Sequence, residues 1–282
     1  MKTLRQLILL SSLTLTTLSS FAQQTKLKPK PYTASNKGKF FVYWGGNRGY
    51  YSKSDLHFQG NDFDFTVKNA TAHDKPKGWH IDYINPTKMT IPQTNLRIGY
   101  FVTDKYNVSI GVDHMKYVMT QNQEATVTGN YPNLGSYGEV LPNGKTKLTE
   151  DFLKFEHTDG LNYINTELTR YEDMSKYLGI TKIDKLQINA FLGGGVGILY
   201  PKTNATVLGR ERYDDFKVAG WGANVKAGVN ATFLKHFFVQ YEWKFGYIHV
   251  VKAPIILNNN AYASHRFTFN QGVFAVGGIF KI

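Results

Sequence analysis

The fold class predicted for this chain is all-β: a closed antiparallel transmembrane β-barrel of eight strands, with long outer loops and short periplasmic turns. Three observations predict it. Apolar residues recur with period two over runs of about 12–16 residues, longer than most soluble strands. The apolar face of those runs is rich in Trp, Tyr and Phe, while the other face carries charges interrupted by glycine. Long and short connections alternate along an even number of runs, the habit of barrels whose loops point one way and whose tight turns point the other. Composition agrees. The 282 residues include 15% aromatics and 26 Gly, with no Cys, which excludes disulfides and thiolate metal sites. No stretch is long and apolar enough for a membrane helix.

Taken in order, residues 1–22 have the features of a secretory signal peptide. Lys2 and Arg5 precede the apolar core from Leu7 to Leu18, and small residues Ser20 and Ala22 sit where cleavage would occur. Residues 23–37 are polar, aperiodic and rich in Lys, the composition of a flexible mature N-terminus. The barrel is expected over 38–282. Strands are predicted at 38–51, 91–103, 105–119, 160–173, 184–200, 216–233, 236–250 and 265–282. The sixth and seventh are the clearest. Trp221, Ala223, Val225, Ala227, Val229 and Phe233 share one face, opposite Asn224, Lys226 and Asn230. Phe237, Val239, Tyr241, Trp243, Phe245 and Tyr247 then share a face opposite Gln240, Glu242 and Lys244. The last strand ends with Phe274, Val276, Gly278, Phe280 and Ile282 on one face, resembling the terminal signal read by the outer-membrane assembly machinery. Segments Asp55–Phe58 and Phe63–Val67 flank Gly60-Asn61 and predict a hairpin. Counted in the wall it would give ten strands; we place it above the membrane, in the first long loop.

The architecture resembles the small eight-stranded outer-membrane barrels. The signal ending Ser-Phe-Ala-Gln, Asp-His-Met-Lys-Tyr-Val-Met at 113–119 and Phe-Glu-His-Thr-Asp-Gly-Leu-Asn-Tyr-Ile-Asn at 155–165 resemble outer-membrane proteins of Bacteroidota. The likeness covers essentially the whole mature chain. It implies a Gram-negative cell envelope, an outer-membrane location and this fold, and it implies no activity.

Assigning the polar face inward collects Arg97, Asp113, Glu167, Lys226, Glu242 and Lys244 in the lumen, with both signs present to pair. An eight-stranded interior is just wide enough for side chains to fill, so a packed polar plug is expected rather than a channel. Seven of the eight His fall on the outer side by strand order. His114 and His157 end adjacent strands, beside Asp113 and Asp159. Imidazole and carboxylate suit zinc-like ions, which makes His114, His157, Asp113 and Asp159 candidate ligands, although no tight ligand spacing accompanies them. His157, His114 and Asp159 are also the candidates for a lipid-modifying hydrolase. His157-Thr158-Asp159-Gly160 resembles in part the His-x-Ser-Asn motif of outer-membrane lipid A deacylases, with Asp159 where the nucleophilic Ser would stand.

The run Gly193-Gly194-Gly195-Val196-Gly197 is not followed by a helical pattern, so it is no phosphate loop; crowding in a curved strand explains it better. The net charge of +12 is dispersed and follows a secretory signal. Anionic lipid and lipopolysaccharide are therefore the expected partners, not nucleic acid. No cofactor is expected. The expected role is structural, or the contacting of an extracellular ligand through loops 52–90 and 120–159. Phe58, Phe63, Phe65, Trp79, Tyr83, Tyr131 and Tyr137 in those loops would form either a binding surface or, as we expect, a core that keeps the loops folded.

Overall fold

The computed structural model describes residues 35–78, 93–132, 137–210, 212–213, 215–257 and 260–281. The signal peptide, most of the N-terminal segment, Trp79, Tyr83 and Ile282 lie outside them, as does the side chain of Asp159.

The described residues form no helix; all regular structure is antiparallel β. Eight long strands make the wall: β1 (Lys39–Tyr51), β5 (Thr94–Phe101), β6 (Tyr106–Met119), β9 (Leu153–Asp173), β10 (Leu186–Leu199), β12 (Gly220–Phe233), β13 (Phe237–Pro254) and β14 (Tyr262–Lys281). Each pairs with the next in chain order, and β1 also pairs with β14, from Lys39 opposite Lys281 to Tyr51 opposite Phe269. The succession of pairings thus returns to its start as a ring. Six shorter strands sit at one end of it: β2 (Ser54–Gln59), β3 (Asp64–Ala70), β4 (Ala72–His73), β7 (Glu124–Asn130), β8 (Thr146–Lys147) and β11 (Asn204–Val207). The hairpin of β2 and β3 pairs with the far end of β14, where Tyr262–His265 face Gln59–Leu56, and then with β7. It extends the wall instead of adding two strands to it.

Alternation sets the faces. Along β13, the side chains from Phe238 to Lys244 at even positions are buried or nearly so, and Phe237, Tyr241, Trp243 and Phe245 are exposed. On the remaining wall strands the exposed face carries Val42, Ile98, Ile110, Leu168, Leu192, Val196, Trp221, Val225, Val229, Phe274 and Val276. These side chains form an apolar girdle, which water would not tolerate at this extent without a cover. Beyond it the outward positions turn polar: Asn270 and Arg266 on β14, and Asn162 on β9. At the other end, β12 and β13 join through Leu234 and Lys235, both in the left-handed region at φ of 51° and 68°. Neither is a residue that favours that conformation, so the register of the flanking strands must hold it.

The loops at the end with the short strands are folded. Phe58, Phe65, Tyr131, Phe152 and Phe155 pack as a chain of rings, with centroids 5.2 Å apart for Phe58–Phe65 and 5.4 Å for Phe58–Phe155. They belong to one apolar core that continues through Tyr117, Leu161 and Ile248 into the ring. Of the loop aromatics proposed from sequence, Phe58, Phe63, Phe65 and Tyr131 are buried and Tyr137 packs against them, so they are core and not a binding surface.

Candidate functional site

Two constellations of chemistry lie inside the ring. The first is ionic. Arg97 on β5, Asp113 on β6, Glu167 on β9, Lys226 on β12, and Glu242 and Lys244 on β13 are all brought together and all buried. The Lys244 ammonium reaches Asp113 at 2.6 Å, Glu167 at 2.9 Å and Glu242 at 3.5 Å. Lys226 reaches Glu167 at 2.6 Å and Glu242 at 3.0 Å. Arg97 reaches Glu167 at 3.0 Å and Asp113 at 3.6 Å, and donates to the Tyr43 hydroxyl at 3.1 Å. Three cations and three anions leave no net charge, the condition under which buried ions persist.

Asp113 and Lys244 sit on strands separated by β9, β10 and β12 in the ring order, so their contact crosses the interior. Neighbouring amides fill the remaining lone pairs: Asn95 and Asn165 donate to Asp113 at 2.6 and 3.1 Å, and Asn224 donates to Glu167 at 3.1 Å. The glycine run makes the space. A Cβ on Gly195 would meet the Thr166 carbonyl oxygen at 2.1 Å and Glu167 Cγ at 2.6 Å. Only a residue without a side chain lets Glu167 lie across β10.

The second constellation lies above the girdle, under the folded loops. His157 on β9 and His265 on β14 stack at 5.7 Å between ring centroids, with their Nε2 atoms 3.4 Å apart. His157 Nδ1 meets Thr203 Oγ1 at 3.0 Å. Tyr117, Phe155 and Phe267 surround the pair, and the Tyr117 hydroxyl is 2.9 Å from Ser54 Oγ. His157 is 0% exposed. Burial pushes its pKa down to about 3. Burial, then the neighbouring charges of His157 and His249, hold His265 well below its ordinary value too. Both rings are therefore neutral at pH 7, and one Nε2–H can be shared between them. Sequence reasoning singled out His157 but not its partner, although His265 shares a face with Phe267 and Phe269, a pattern that strand alternation makes visible.

These positions correct the rim site expected from sequence. His114 and His157 lie within adjacent strands, not at their ends, and they face opposite sides of the wall. His114 shares the outward parity of Ile110 and its Nδ1 meets Asn162 Oδ1 at 2.7 Å, whereas His157 points inward, opposite Tyr117 in register. In register His114 lies opposite Asn162, and His157 opposite Tyr117. Asp113 belongs to the ionic cluster. Among the described residues no three His or acidic groups gather around a point that could hold a metal. Hydrolysis of a lipid by His157 would need its ring at an open surface. A base sealed among aromatic rings cannot reach a lipid, and the adjacent Thr158 hydroxyl donates to Glu156 at 3.1 Å instead of facing His157.

No protein-family model and no curated protein matches this chain. Among solved structures, similarity is found to the outer membrane protein OprG of Pseudomonas aeruginosa, at 11% identity and a TM-score of 0.36, covering 88% of this chain and 98% of that one. The attachment invasion locus protein Ail of Yersinia pestis is similar at 8% identity and a TM-score of 0.31, over 86% of this chain and 99% of that one. Neisserial surface protein A is similar at 8% identity and a TM-score of 0.30, over 83% and 96%. At these scores the likeness is slight and carries no functional inference.

Proposed function

We propose that this chain is an outer-membrane β-barrel protein of the Gram-negative envelope, and that its eight-stranded ring is a closed wall with a sealed interior. Its role is structural, or the contacting of surface ligands through the folded outer loops; it is not a channel. The supporting observation is the pairing of opposite characters on the two faces. The outside carries the apolar girdle, which suits lipid, and the inside carries a neutral ionic cluster bridging opposite strands. Apolar side chains close both ends: the loop core on one side, and Phe41, Phe101, Phe238 and Ile279 on the other. The sequence resemblance also supports a Bacteroidota source.

The test is planar-bilayer recording of the refolded protein, with protease shaving of intact cells to report the loops. Expected are folded, heat-modifiable protein, cleavage confined to the outer loops, and no steady conductance. Steady conductance from fully folded protein refutes the sealed interior. Absence from the outer-membrane fraction refutes the location.

A further inference from the structure

A cleft of about 440 Å³ opens on the outward side of the wall where β13, β14 and β2 meet. It lies immediately beyond the girdle. His249, one of its lining residues, follows Tyr247 by two positions on β13, a rise of roughly 7 Å. The His249 ring stands 5.8 Å from that of the exposed Trp221 and 6.5 Å from that of Tyr247. Aromatic rings of this kind mark the level where acyl chains give way to headgroups. The cleft therefore opens at headgroup height.

Its chemistry is cationic. Arg266 and Lys53 line it, and neither closes an ion pair among the described residues. Its one carboxylate, Asp55, is already engaged: it accepts from the Asn69 backbone N–H at 2.9 Å and pairs with Lys68 at 2.9 Å. His57 adds an imidazole held by Asp64 at 2.8 Å, and Ser264 adds a hydroxyl opposite it in register. Two cations outside any close ion pair, Lys53 and Arg266, with donors on β2 and β14, together form a site for an anion with several oxygens.

We infer that this cleft binds a phosphate group on the headgroup of an outer-leaflet glycolipid. The inference rests on the outer-membrane reading above. Arg266 and Lys53 hold the phosphate oxygens, Ser264 and His57 supply further hydrogen bonds, and Trp221 and Tyr247 flank the first carbons of the acyl chains. The bound lipid would fix the β2–β3 hairpin against β14, coupling the folded loops to the leaflet.

The test uses the full-length protein refolded in detergent, with native mass spectrometry counting bound lipid. Probes are diphosphorylated lipid A, its dephosphorylated form, and inorganic phosphate as a competitor. The K53A/R266A double variant is compared with K176A/K182A, which removes two charges from the connection at the opposite end. Expected is retention of diphosphorylated lipid A, weakened about tenfold or more in K53A/R266A and unchanged in K176A/K182A. Equal binding of the dephosphorylated lipid, or equal weakening in both variants, overturns the site. Displacement by inorganic phosphate at similar concentration assigns the cleft to free phosphate and overturns the lipid. Heat-modifiable migration of each variant is scored first. R266Q alone serves if the double variant misfolds, and failure of the wild type to fold in detergent or enter lipid counts against the barrel reading instead.

Discussion

Acidification should loosen the outer loops through the buried histidine pair. His157 holds its neutral form in the folded state down to a pKa of about 3, whereas an opened loop region exposes it with an ordinary value near 6.5. The opened state therefore binds more protons everywhere below pH 6.5. Stability is complete above that value and falls as the pH drops toward 3. At pH 4.5 the loss from His157 alone is about 3 kcal/mol, roughly a hundredfold rise in the opened fraction. His265 acts in the same direction, since burial lowers its pKa as well. Among the described residues the rings that surround the pair are Tyr117, Phe155 and Phe267. Hydrogen exchange of peptides from β2, β3 and the start of β9, corrected for intrinsic rates, reads the opening at pH 7 and 4.5. The H157F/H265F variant keeps two rings in place and should lose the acid-dependent part. Equal protection of the wild type at both pH values refutes the argument, as does an acid response that persists in the double variant.

Four further outcomes follow from the same structure. E242Q leaves Lys226 and Lys244 short of one anion in the interior and should destabilise the folded protein by about 3–5 kcal/mol, read as a lower urea midpoint in lipid vesicles. A normal midpoint with a new conductance would mean instead that the cluster gates a pore. G195V places side-chain atoms where Thr166 and Glu167 already stand and should block folding, seen as loss of heat-modifiable migration. F58A removes a central ring of the loop core and should cost the loops about 3–5 kcal/mol, with faster proteolysis there and an unchanged wall. Removal of the exposed Arg210–Asp62 pair by R210A should cost less than about 1 kcal/mol by the same proteolysis assay, because solvent screens it.

Much of the wall is legible in the sequence. Period two along 221–233 and 237–247 assigns Trp221, Val225, Tyr241 and Trp243 to one face and Lys226, Glu242 and Lys244 to the other, because a strand offers only two faces. The β2–β3 hairpin was legible from Gly60-Asn61 between apolar alternations, and its turn chemistry is local. The folded loops were legible only in outline: their aromatics were visible, but not their packing.

Whatever depends on elements distant in sequence was decided by the tertiary structure. His157 and His265 are 108 residues apart and meet because β9 and β14 face each other across the ring. Asp113 and Lys244 are 131 residues apart and meet for the same reason. His114 and His157 are separated although their strands are neighbours, because a pleated wall turns alternate residues to opposite sides. The cleft beside Arg266 exists only because the hairpin returns to β14. Local sequence determines which way a side chain points; strand pairing and register determine what it meets there.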